Sequence, residues 1–120
     1  MKRILAVDDS ASMRQMVVFT LKKAGYQVVD AKDGLEALEI AKTQSFDAVI
    51  SDVNMPNMDG ITLIKHLRTL PAYKFTPLLM LTTESGTEKK HEGRAAGATG
   101  WIVKPFNPDQ LLAVIQKVIR

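Results

Sequence analysis

Ile4-Leu5-Ala6-Val7 is followed at once by Asp8-Asp9. Four apolar residues in a row, without alternation and closed by two acids, read as a short strand buried on both faces. The same construction returns along the chain. Val28-Val29, Ala48-Val49-Ile50, Leu78-Leu79-Met80-Leu81 and Trp101-Ile102-Val103 make four more short apolar runs rich in β-branched residues. Between the runs the apolar spacing changes to three and four. Met13, Met16, Val17, Thr20 and Leu21 form one helical face; Leu35, Leu38 and Ile40-Ala41 a second; Ile61, Leu63-Ile64 and Leu67 a third; and Leu111, Leu112, Ile115, Val118 and Ile119 the last. A further helix, roughly from Thr87 to Ala96, is polar throughout Glu88-Lys89-Lys90-His91-Glu92. Strands alternating with helices need crossover connections and therefore pair in parallel. The reading is a (βα)5 α/β domain, a doubly wound three-layer sandwich.

Local punctuation agrees. Gly25 suits the end of the first helix, Asp33 caps the second, and Asn107-Pro108 supplies a cap and a first-turn proline for the last. Gly60, Gly86, Gly97 and Gly100 are read as turn residues, and Met13, Met16 and Met80 as core filler. His66 and His91, each without a second ligand at useful spacing, are read as surface histidines.

Composition narrows the function. The chain has 120 residues, a size for one domain with a core of its own. It has no cysteine, which excludes disulfides, Cys-ligated metals and thiol catalysis. No apolar stretch approaches the roughly 20 residues of a membrane span, and the apolar run after Met1-Lys2-Arg3 is too short for a signal peptide, so a cytoplasmic domain is expected. The net charge of +3 divides into seven Lys/Arg against nine Asp/Glu in residues 1–60 and nine against four in residues 61–120. No basic run exceeds two residues, which argues against nucleic acid as the partner.

In a doubly wound fold, ligands bind beyond the carboxyl ends of the strands. Those ends carry Asp8-Asp9, Asp52 with Asn54 two residues later, Thr82-Thr83, and Lys104-Pro105. Three carboxylates in one cleft repel one another unless a cation offsets them. A hard divalent ion such as magnesium suits oxygen ligands and leaves coordination positions open for a phosphorylated species. Lys104 adds a compact positive charge and Thr82 a hydroxyl. With no His, Ser or Cys nucleophile beside them, the natural nucleophile is an aspartate that attacks phosphorus and becomes an aspartyl phosphate.

Val7-Asp8-Asp9, the run Ser51-Asp52-Val53-Asn54-Met55-Pro56-Asn57-Met58-Asp59-Gly60, Leu81-Thr82-Thr83 and Val103-Lys104-Pro105-Phe106 closely resemble the motifs of response regulator receiver domains, particularly the stand-alone chemotaxis type. The resemblance spans the chain. It implies a flavodoxin-like sheet of order 2-1-3-4-5 and a single receiver domain over residues 1–120 with no effector domain. It makes Asp52 the phosphoacceptor, with Asp8, Asp9, Asp52 and the backbone carbonyl of Asn54 holding Mg2+ or Mn2+. Lys104 would pair with Asp52 or the incoming phosphoryl group, through a cis Lys104-Pro105 peptide. Thr82 and Trp101 would form the switch, and Asn54 and Thr83 would tune the lifetime of the phosphoryl group. Trp101 departs from the commoner tyrosine or phenylalanine. The implied partners of this monomer are a sensor histidine kinase, an output protein such as a flagellar motor switch component, and a phosphatase. The rival is a magnesium-dependent phosphatase of the haloacid dehalogenase type; such enzymes carry a second aspartate two residues after the nucleophile, where this chain has Asn54. A third class is an interaction module that is never phosphorylated, against which the intact acceptor and metal residues weigh.

Overall fold

The computed structural model describes residues 2–119. Five strands, β1 (Arg3–Val7), β2 (Gln27–Ala31), β3 (Ala48–Ser51), β4 (Leu78–Thr82) and β5 (Gly100–Val103), alternate with α1 (Ala11–Lys23), α2 (Gly34–Thr43), α3 (Gly60–Thr69), α4 (Thr87–Ala96) and α5 (Pro108–Val118). All strand pairs are parallel and the sheet order is β2-β1-β3-β4-β5. The expected architecture and strand order are both observed.

The sheet divides its apolar residues between two cores because successive side chains point to opposite faces. Leu5, Val7, Val49, Leu78 and Met80 face α2, α3 and α4, meeting Leu38, Leu63, Ile64 and Leu67. Ile4, Ala6, Ile50, Leu79, Leu81 and Ile102 face α1 and α5, meeting Val17, Leu21, Leu111 and Ile115. Both faces of the central strands are therefore buried, as their unbroken apolar runs require. The caps fall where the sequence places them: the Asp33 side chain accepts from the Glu36 N–H and the Asn107 side chain from Asp109 and Gln110. Among the described residues, no helix is long and apolar enough to cross a membrane.

Three expectations are corrected. Met16 is 56% exposed and Met13 only half-buried, because the inward stripe of α1 runs through Val17 and Leu21, one helical step of about 100° from Met16. Leu35 is likewise exposed, and the buried face of α2 is Gly34, Ala37, Leu38 and Ala41. Gly97 ends α4 with φ +112° as a turn glycine should, but Gly60 and Gly100 are glycines of close approach. A Cβ on Gly60 would stand 1.9 Å from the Asp52 carbonyl oxygen, and one on Gly100 2.9 Å from Leu79 Cδ2.

Candidate functional site

Strand register brings the polar residues together. Val7 pairs with Ser51, so the next residues, Asp8 and Asp52, leave the sheet side by side between β1 and β3. This is the point where the chain turns to opposite sides of β1, first to β2 and then to β3, and where such sheets open a crevice. Thr82 pairs with Val103, which delivers Lys104 from the end of β5 to the same edge.

There the Lys104 ammonium donates to Asp8 Oδ2 at 2.7 Å and to Asp52 Oδ2 at 3.0 Å. Its side chain is 9% exposed, those of Asp8 and Asp52 6% and 12%, so the contacts are largely shielded from water. Burial pushes the Lys104 pKa down, but the hydrogen bonds and charges of Asp8 and Asp52 outweigh it, and the net shift is upward. The Lys104-Pro105 peptide is cis, as the resemblance implies. Asp52 Oδ1 accepts from the Val53 N–H at 2.7 Å, and Asp8 Oδ1 from the Ser10 N–H at 2.9 Å.

Asp9 stands exposed at the rim, and one oxygen from each of Asp8, Asp9 and Asp52 lies within 4.8 Å of the others. Three carboxylates face one ammonium here, an imbalance that calls for a further cation. An all-oxygen donor set, part buried and part open, fits a hard divalent ion of the magnesium type.

The remaining predicted site residues fall on β4, on β5 and in the loops after β3 and β4. Thr82 is fully buried at the end of β4, and its hydroxyl accepts from the Glu84 N–H at 3.3 Å. Thr83 is exposed. Asn54 is exposed and its amide donates to Glu84 Oε1 at 3.0 Å. Trp101 lies half-buried on β5, one strand over from Thr82, with its indole N–H bonded to the Glu84 backbone carbonyl. His66 and His91 are both exposed, away from any ligand set.

Two residues near the site carry no sequence signal of their role. Glu84 joins Asn54 to Trp101, one through its carboxylate and the other through its carbonyl. Arg14, from the first turns of α1, donates to the Asp8 carbonyl at 2.7 Å and to Asp30 Oδ2 at 2.8 Å, bracing the acidic pair from behind. Its place on a helix bearing other polar residues hides that contact.

The response regulator receiver domain profile matches residues 4–116. The chemotaxis protein CheY-3 of Vibrio cholerae is 41% identical over 117 residues, covering 97% of this chain and 90% of that protein. The solved structure of the Vibrio cholerae chemotaxis protein CheY4 superposes with a TM-score of 0.95 at 59% identity, covering 98% of each chain. The receiver domain of the sensor histidine kinase PA1611 from Pseudomonas aeruginosa, 26% identical with a TM-score of 0.92 and covering 98% and 97% of the two chains, holds a magnesium ion in its active-site cleft. The clustered aspartates, the lysine between them and the matching profile agree with one another, and the chain belongs to the response regulator receiver domain family.

Proposed function

We propose that this chain is a chemotaxis response regulator in a phosphorelay, phosphorylated on Asp52 by a sensor histidine kinase. The observation that carries the reading is the convergence of Asp8, Asp9 and Asp52 at the β1/β3 edge, with the Lys104 ammonium bonded to Asp8 and Asp52. An Asp52 carboxylate oxygen attacks the phosphorus of a phosphohistidine. The P–N bond breaks, its electron pair returns to the imidazole nitrogen, and that nitrogen takes up a proton. Asp8, Asp9, Asp52 and the Asn54 carbonyl would hold magnesium, which when bound supplies charge neutralisation for the carboxylates and the phosphoryl oxygens. Lys104 stabilises the developing charge with little reorganisation, because its ammonium already sits against Asp52.

Once Asp52 carries the phosphoryl group, the Lys104 ammonium and the Thr82 hydroxyl donate to its oxygens. Two charge-assisted hydrogen bonds at about 1.5 to 3 kcal/mol each contribute about 3 to 6 kcal/mol. Inverting a two-state population from 1:99 to 99:1 takes about 5.5 kcal/mol. The two bonds nearly suffice, and a partner that prefers the phosphorylated form completes the shift. Exposed Lys90 and Arg94 of α4 line one cavity with Trp101 of β5, and α5 adds exposed Lys117. This suits an acidic output partner, such as a flagellar motor switch component. Asn54 and Thr83, both exposed and each just after a strand end, tune hydrolysis. The phosphatase alternative is not favoured: the family match and Asn54 in place of a second aspartate both weigh against it.

The test uses magnesium with acetyl phosphate, or a beryllium fluoride mimic, on wild type and Asp52→Asn. One phosphoryl group by intact mass, absent in Asp52→Asn, with a change in Trp101 emission, is the expected result. Labelling that survives the substitution, or rapid turnover of many small phosphoesters, overturns the assignment.

A further inference from the structure

The loop after β3, residues 52–59, carries Asn54 and leads into α3, and it is held from outside the acidic cluster. Among the described non-glycine residues, Asn57 alone has a positive φ, 68°. Its Nδ2 donates to Asp33 Oδ2 at 2.8 Å. Asp33 is 3% exposed, and its other oxygen accepts from the Glu36 N–H at 2.9 Å as the cap of α2. Both oxygens of a buried acid are thus committed, one to a helix and one to this loop. The neighbouring Gly34 donates its N–H to the Met58 carbonyl at 3.1 Å. A Cβ on Gly34 would stand 2.5 Å from that same oxygen, so only glycine lets the backbones come this close. Two adjacent loop residues are therefore tied to two adjacent residues at the start of α2. A left-handed asparagine persists where its surroundings over-determine it, and here they do.

We infer that Asp33 and Asn57 are a positioning pair that fixes the loop after β3 so that the Asn54 carbonyl meets a divalent cation; this rests on the magnesium site read above. Asp8 and Asp52 follow directly from strand ends and are held by Lys104. A main-chain carbonyl has no rotamers, and its direction is set only by the loop backbone. The loop ligand is consequently the one whose placement depends on a brace. Outer partners of this kind set metal affinity without touching the metal.

The experiment titrates the full chain with Mn2+ by electron paramagnetic resonance and with Mg2+ by calorimetry, alongside thermal unfolding in EDTA. Asn57→Gly keeps the positive φ accessible and removes the amide; it should weaken binding about tenfold. Asn57→Asp sets two carboxylates face to face and should weaken it further. Asp33→Asn combined with Asn57→Asp exchanges donor and acceptor, while the amide oxygen at position 33 still caps α2. The exchange should recover most of the affinity, which a merely structural role does not explain. Wild-type affinity in a folded Asn57→Gly, or no recovery in the exchanged pair, overturns the inference. An Asp9→Ala control that binds like wild type, or a wild type that binds neither ion, overturns the magnesium reading itself and the inference with it.

Discussion

The indole N–H of Trp101 donates to the backbone carbonyl of Glu84 at 2.8 Å, tying β5 to the loop between β4 and α4. The Glu84 carboxylate in turn accepts from Asn54 at 3.0 Å, so a continuous polar path runs from the rim of the acidic cluster to the basic face. A phenolic hydroxyl is missing at this position, and the indole nitrogen supplies a donor instead. The six-membered ring rests against α4, where a Cβ on Gly93 would lie 2.7 Å from Trp101 Cζ3.

Gly93→Ala should therefore displace the indole. Overpacking of this kind costs about 1 to 3 kcal/mol, and a helical glycine exchanged for alanine returns up to about 1 kcal/mol. We expect net destabilisation with a shift in Trp101 emission as the ring leaves its seat. Trp101→Phe removes the clashing atoms, so Gly93→Ala should cost less on that background, measured as a double-mutant cycle by urea unfolding. Additive effects would show that the ring does not fill this notch.

Lys104 titrates with a definite sign. Its pKa is raised above the usual 10.5, since the bonds to Asp8 and Asp52 exceed the opposing effect of burial. The stabilisation is complete below pH 10.5 and disappears as pH climbs through the raised folded-state value. Lys104→Met leaves buried carboxylates without their counter-charge and should cost about 3 kcal/mol at neutral pH without divalent ions. Urea midpoints of the two proteins should converge above pH 10.5. A gap that persists unchanged there would detach the effect from the ammonium charge.

Acid dependence has the opposite sign. The Glu36 N–H and then the Asn57 amide hold the Asp33 carboxyl below its ordinary value of 3.8. Its contribution is present above that value and is lost as pH falls through the depressed folded-state value. Asp33→Ala removes a helix cap worth about 1 kcal/mol, together with the Asn57 bond. The stability difference from wild type should be full at neutral pH and shrink as pH falls below 3.8 and through the depressed folded-state value. A difference independent of pH would assign the effect to packing.

The elements are legible in the sequence and the braces between them are not. Ile4-Leu5-Ala6-Val7 and its counterparts are buried on both faces, and unbroken apolarity is the direct imprint of that burial. The strand-end residues are legible for a related reason: parallel pairing in a (βα)5 order sends Asp8, Asp52 and Lys104 to one edge. Met16 misleads because period alone does not say where within an apolar stripe the helix meets the sheet. Asp33 reads only as a cap, since its second oxygen bonds Asn57 across 24 positions, a contact without periodicity. Glu84 and Arg14 each make one of their contacts at a backbone carbonyl, which every residue possesses and no composition reveals.

Asp9 separates metal binding from folding. It is the exposed member of the acidic trio and lies just before Ser10, the cap of α1. Its charge is repelled by Asp8 and Asp52, while the start of α1 favours it by about 0.3 to 1 kcal/mol, so the two effects oppose each other in the apo protein. Asp9→Ala should then unfold in EDTA at close to the wild-type temperature. Magnesium at about a hundredfold excess over its dissociation constant stabilises a one-site protein by about 2.7 kcal/mol. Wild type should gain this amount and Asp9→Ala only a small part of it, so thermal midpoints that coincide in EDTA should separate once the ion is added. Equal gains in both proteins would remove Asp9 from the ligand set, and a large loss already in EDTA would make its role structural.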